Sequence, residues 1–351
     1  MNMPIFPVEQ AYFFHGHYRL AYEVFGPAHG TPVLLVHGIL LDSLCNRDIA
    51  ALLAAEGYRV VLLDLLGHGR SDKPTKAAEH RVDFYAEQVL GLMDHLGLER
   101  AIIGGVSLGA ITTLTAATLA PHRVRALLLE MPVMENAVPA AALMLVPLMI
   151  AVHYAKPVYR LFARLLRQLP EPRRAVVGSL RNALAAEPEV IRAILHGVLV
   201  GPVVPSMRRR KHIRQPVLVI GHARDPLHDL ADAKSLKRQL PNTEFLLARS
   251  LLELRTRPER LMPQILELTF QMKDKIISQH PQSQVVVQST DIENEQLVLG
   301  RTLNQCIQQS PNRVTGFRFA GMGVVVEDVA GPLVTDRMGS NIDDASRAID
   351  I

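Results

Sequence analysis

The chain has 351 residues, 48% of them hydrophobic and 21% charged, a balance that excludes a disordered chain and leaves room for a large core with an insertion or a second small domain. Its net charge of +4 is modest, and no nucleic-acid-binding motif accompanies the basic residues, so nucleic acid is not an expected partner. Cys45 and Cys306 are far apart and lack ligand spacing, which excludes a disulfide framework and a cysteine zinc site.

In chain order, Phe13-Phe14 and Tyr18 to Phe25 predict an opening antiparallel hairpin, with alternation in Arg19 to Val24. His15 and His17 then fall on one strand face, a pair without a third ligand, and no metal site is expected. Pro32 to Ile39 predicts a buried strand ending in His37-Gly38, and Arg47 to Ala55 a helix. Tyr58 onward is a second buried strand that runs into the glycine-rich Gly67-His68-Gly69-Arg70-Ser71-Asp72. Phe84 to Leu96 reads as a helix, Arg100 to Gly104 as a strand, Ala110 to Leu119 as a helix, and Val124 to Glu130 as a strand. His37 and His68 are expected to shape loops rather than to react.

Between Met134 and Arg214 the strand pattern stops and helical composition takes over. Ala137 to Ala155 is apolar enough to weigh as a membrane span, but Pro139 and Pro147 interrupt it. A helix whose apolar face roofs a pocket is the simpler reading. Transient contact with a membrane surface, aided by Arg160, Arg164, Arg167, Arg173 and Arg174, is the sharper one. Arg208 to Lys211 and Arg214 read as a solvated basic face. Strand Gln215 to Gly221, helix Leu230 to Leu240, strand Thr243 to Ala248 and an amphipathic closing helix over Pro258 to Met272 follow. Beyond Gln279 the composition shifts to Gln, Asn and Ser, with strand-like pieces at Val314 to Phe319 and Met322 to Val326 and no motif. The expected segments are therefore 1–133 (core, first part), 134–214 (helical insertion), 215–279 (core, second part) and 280–351 (an extension of unknown role). Met1 to Pro7 lacks a signal-peptide pattern, so a cytoplasmic location is the expectation.

The most informative motif is Gly105-Val106-Ser107-Leu108-Gly109, a G-x-S-x-G between a buried strand and a helix. Such a turn strains the serine backbone and brings neighbouring chains close, which Gly105 and Gly109 permit by lacking a Cβ. The following helix aims its N-terminal amides at the serine. A G-x-G-x-x-G nucleotide loop is excluded by the spacing of Gly104, Gly105 and Gly109.

With the His37-Gly38 strand and the Gly67 to Asp72 loop in this order, the chain from Phe13 to Met272 resembles the α/β-hydrolase superfamily (the serine esterases, lipases and lactonases). The resemblance implies an α/β fold with a mostly parallel central sheet, helices on both faces and an inserted helical lid. It implies Ser107 as nucleophile, the backbone amides of Ile39 and Leu108 as oxyanion hole, Asp225 as acid, and no cofactor. The implied substrate is a small apolar acyl compound, an ester or lactone. Glu130 and Glu135 are fallback acids. The usual loop for the base, Ala248 to Leu254, holds no histidine. His228 is the candidate base, with His222 and His280 as alternatives. The competing reading is a hydrolase-like binding protein that has lost its base. Nothing in the sequence sets the oligomeric state.

Overall fold

The computed structural model describes residues 8–223, 225, 227–250, 253–267, 314–320 and 323–328. The expectations for His280 and Cys306 lie outside these residues. The chain divides into two units, 1–274 and 275–351.

The first unit is built on an eight-stranded sheet in the order β1-β2-β4-β3-β5-β6-β7-β8. The strands are β1 Glu9–His15, β2 Tyr18–Phe25, β3 Thr31–Val36, β4 Tyr58–Leu63, β5 Ala101–Val106, β6 Val124–Glu130, β7 Val217–His222 and β8 Thr243–Ala248. The β1–β2 and β2–β4 pairs are antiparallel and the rest are parallel. Strands β3, β4 and β5 are continuous apolar runs because both sheet faces are covered. Alternation decides which side chain goes where: Leu34 and Val36 join the core under helices α2 (Val82–His95), α3 (Leu108–Leu119) and α9 (Leu230–Gln239), whereas Val33 and Leu35 pack toward α1 (Arg47–Ala55). His17 lies in the β1–β2 turn, so it does not share a strand face with His15.

Five helices stand between β6 and β7: α4 Val138–Tyr154, α5 Lys156–Gln168, α6 Ala175–Leu184, α7 Pro188–Val200 and α8 Met207–Arg210. Among the described residues no single helix is long and apolar enough to cross a membrane, and α4 and α5 meet at a 96° bend. Asp232 of α9 anchors the start of this insertion. Its buried carboxylate accepts from the amides of Met134, Asn136 and Ala137 and from the Asn136 side chain at 2.8–3.0 Å. Asp42 ties down α6 through Ser179 and Asn182.

Two further readings of the sequence need correction. Arg210, expected on a solvated face, is fully buried and forks onto Glu135 at 2.6 and 3.2 Å. The closing helix begins later than expected, with a single 3₁₀ turn at Pro258–Arg260 and helical residues at 262–267; positions 268–272 lie outside the described residues. In the second unit, β9 (Val314–Ala320) pairs antiparallel with β10 (Gly323–Asp328).

Candidate active site

The C-terminal ends of β3, β5, β6 and β7 converge, and the backbone is strained there. Among the described residues three non-glycine residues have positive φ: Leu40 (61°), Ser107 (55°) and Met131 (50°), which follow β3, β5 and β6. Strain clustered at one edge of a sheet is held by packing around it and marks a site. At the β5–α3 turn, Ser107 has ψ −112° and donates its N–H to the Glu130 carbonyl at 2.8 Å. A Cβ on Gly105 would lie 2.3 Å from the Val36 oxygen, and one on Gly109 would lie 2.2 Å from the same atom. Only glycine fits at either position, so the motif is enforced by a backbone crossing.

The loop between β7 and α9 brings the remaining groups to Ser107. Asp225 Oδ1 accepts from the amides of Leu227 and His228 at 2.9 and 3.0 Å, folding the loop into a tight turn. Asp225 Oδ2 lies 2.7 Å from His228 Nδ1, and His228 Nε2 lies 2.8 Å from Ser107 Oγ. One carboxylate thus caps the turn with one oxygen and holds the imidazole with the other. Burial pushes the Asp225 carboxyl up. The hydrogen bonds from the His228 ring and the turn amides, with the imidazole charge, outweigh that and hold it below its ordinary value. An ionised carboxylate only accepts, so the proton belongs on Nδ1 and Nε2 is free to accept from the serine hydroxyl. The Asp225 side chain is 1% exposed and that of His228 11%, so the pair is shielded but reachable.

The other sequence-derived candidates fall elsewhere. His222 Nδ1 donates to the Ser250 carbonyl at 2.7 Å, and its Nε2 sits 3.3 Å from Glu130 Oε1, poorly aligned for a hydrogen bond. Glu130 is gripped by Arg255 through two bonds of 2.6 and 2.7 Å, and Glu135 by Arg210. Neither glutamate faces a histidine directed at Ser107. His37 accepts the Leu65 amide at Nε2 (3.0 Å) and donates from Nδ1 to the Gly38 carbonyl (2.8 Å). Burial holds its ring below the ordinary histidine value, and burial with the nearby His37 does the same more strongly for His68. Both rings therefore shape loops.

The amides of Ile39 and Leu108 have no acceptor among the described residues, and both residues line a cleft with Ser107. Leu108 opens α3, so its N–H lies at the positive end of that helix. The cleft has about 460 Å³ of empty space including its open mouth. Apart from Ser107 its walls are entirely Ile, Leu, Val and Ala; Val138, Ala141 and Leu145 come from α4 and Val198 and Leu199 from α7. A second void, on the α1 side of the sheet beside Glu130 and Gly105, does not include Ser107 among its walls. Among the described residues no group of three or more His, Cys, Asp or Glu is placed to hold a metal ion.

Sequence reasoning missed Arg255. Its guanidinium joins Glu130 to the Cys45 carbonyl (3.1 Å) and Asn46 Oδ1 (3.2 Å), closing the sheet edge beneath Ser107 from the segment that follows β8. No pattern in the sequence flags it, because its partners are 125 or more positions away.

Comparison with known proteins places this geometry in context. A haloalkane dehalogenase of Mycobacterium marinum is 31% identical over 180 residues, half of this chain and 54% of that protein. A haloalkane dehalogenase of Mycolicibacterium paratuberculosis is 27% identical over 242 residues, 62% of this chain and 76% of that protein. The chain thus spans about half the length of the first of these relatives. Among solved structures, the 2-hydroxy-6-oxo-6-phenylhexa-2,4-dienoate hydrolase of Rhodococcus sp. strain RHA1 superposes with a TM-score of 0.61 at 25% identity, covering 76% of this chain and 99% of that one. The enol-lactonase of Burkholderia xenovorans LB400 superposes with a TM-score of 0.61 at 19% identity, over 74% of this chain and all of that one, a likeness of fold. The family described as alpha/beta hydrolase fold matches residues 31–250, most of the chain and the whole Ser107 site, and the chain belongs to that family.

Proposed function

We propose that the protein is a serine hydrolase that cleaves an ester, lactone or related acyl compound with an apolar portion. The observation that carries this reading is the line of hydrogen bonds from Asp225 through His228 to Ser107, at 2.7 and 2.8 Å. Ser107 Oγ attacks the acyl carbon as His228 Nε2 takes its proton, and Asp225 stabilises the imidazolium that forms. The Ile39 and Leu108 amides receive the oxyanion. Collapse of the tetrahedral adduct expels an alkoxide, which takes the proton from His228. Water then attacks the acyl-enzyme with His228 as base, returning free acid and Ser107–OH. The inserted helices act as a lid, and the apolar walls of the cleft favour a lipophilic acyl or alkyl group.

The relatives named as haloalkane dehalogenases invite a different chemistry. If Ser107 Oγ displaced a halide, the enzyme would be left with a dialkyl ether, which has no carbonyl carbon for water to attack and would be a dead end. An acyl substrate avoids this, because the serine ester it leaves is hydrolysable.

The test is labelling by a fluorophosphonate, with the wild type compared to Ser107→Ala and His228→Asn. Stoichiometric labelling that vanishes in the first and falls by ~10⁴ in rate in the second supports the reading. A well-folded wild type that does not label would refute it and favour a binding protein.

A further inference from the structure

Fifteen of the twenty exposed large hydrophobic residues among those described lie between Leu143 and Met207, within the inserted helices. Along α5 and its C-cap, Val158, Leu161, Phe162, Leu165 and Leu169 follow an i, i+3, i+4, i+7, i+11 spacing, which puts them on one face. A helix normally buries that face, yet these residues are 47–71% exposed, and of α5 only Ala163 is buried. Lys156, Arg160, Arg164 and Arg167 occupy the opposite face. Lys156 and Arg160 pair with Glu189, and Arg167 with Glu187; exposed Arg164 and Arg173 have no ion-pair partner among the described residues.

Charge identifies what fits this surface. Residues 134–214 hold 13 Lys and Arg against 4 Asp and Glu, a surplus of nine; the whole chain carries +4, so the remainder is net −5. A second copy presenting the same face would meet like charge. An anionic surface would meet its complement. An apolar helix face with basic residues opposite it is the arrangement of a helix that lies in a membrane interface. We propose that α5, with the exposed outer residues Leu143, Met144 and Leu148 of α4, docks the protein on the surface of an anionic phospholipid bilayer. Because the inner side of α4 lines the Ser107 cleft, docking sets the mouth of that cleft close to the lipid phase. The docking itself does not depend on the catalytic reading.

Co-sedimentation of the full-length protein with vesicles tests it. Binding is expected to equimolar phosphatidylcholine and phosphatidylglycerol, to weaken as salt rises, and to be at least tenfold weaker on phosphatidylcholine alone. Leu161→Glu/Leu165→Glu should lower the partition coefficient at least tenfold, and Arg164→Gln/Arg173→Gln by about 25-fold, roughly fivefold per basic residue. These side chains are exposed and outside the cleft, so far-ultraviolet circular dichroism and Ser107 labelling in solution should be unchanged. Folded wild type that stays in the supernatant with anionic vesicles overturns the proposal. So does a protein that sediments as a dimer, is split by Leu161→Glu/Leu165→Glu, and ignores vesicles, since the face would then be a protein interface.

Discussion

Replacing Arg255 by methionine isolates the buried charge beneath the site. Arg255 and Glu130 are 7% and 4% exposed and share two short hydrogen bonds. Burial by itself would raise the Glu130 carboxyl; the Arg255 charge and its two hydrogen bonds, with the His222 ring 3.3 Å away, hold it instead at about 2, against an ordinary 4.5. That difference corresponds to about 3 kcal/mol of linkage. Because the folded value is depressed, the contribution is complete above the unfolded value of 4.5 and is lost as the pH falls from there toward 2. The substituted side chain would keep the apolar stem and remove the charge, so burial would dominate and drive the Glu130 value above 4.5. The variant should lose about 3–5 kcal/mol at neutral pH, the cost of a broken buried pair, with His222 as a weak remaining partner keeping the loss toward the lower end. Its sign of pH dependence should also reverse: acidification neutralises Glu130 and relieves the penalty. Urea unfolding of both proteins at about pH 7.5 and about pH 5 measures this, and the gap should narrow at the lower pH. Adding Glu130→Gln to the variant should recover stability, since no charge is then left unpaired. A neutral-pH loss below about 1 kcal/mol, or an equal loss at both pH values, would refute the clamp.

Gly109→Ala forces a Cβ to 2.2 Å from the Val36 carbonyl and should cost about 3 kcal/mol or more by thermal or urea unfolding, whereas Gly178→Ala in α6, which meets only Leu44 Cδ1 at 3.4 Å, should be neutral or stabilising by up to about 1 kcal/mol. Cys45 is buried and its thiol is pushed up to about 12, so in a Cys306→Ser background it should react with a thiol reagent only as fast as the protein unfolds; rapid native-state labelling would contradict its placement. Leu145→Trp would fill the cleft from α4, and esterase assays along a chain-length series should show KM rising several-fold for long acyl chains with little change for acetyl; a uniform change would mean that the chain does not lie there.

Local pattern determined a good deal of this protein. The continuous apolar runs of β3 to β7 specify buried parallel strands, because a strand covered on both faces has no polar side to show. Gly105 and Gly109 mark the turn at Ser107 because a side chain there collides with Val36, a constraint short enough to be written in five residues. Asp225 is legible as a candidate through the family resemblance, by its place after the strand that follows the insertion, and His228 as one of the two histidines beyond it. Which histidine reaches Ser107 was decided only by the tertiary structure: the choice among His222, His228 and His280 depends on how the β7–α9 loop folds against an elbow 121 positions away. The same holds for Arg210, whose run of basic neighbours reads as a solvated face until Glu135 is found beside it. Arg255 and Asp232 left no trace in the sequence at all, since each satisfies groups some 95 to 210 positions distant. Spacing along a chain records contacts within a turn or a pleat; burial and the pairing of distant charges come into being only when the sheet closes and its edge brings those loops together.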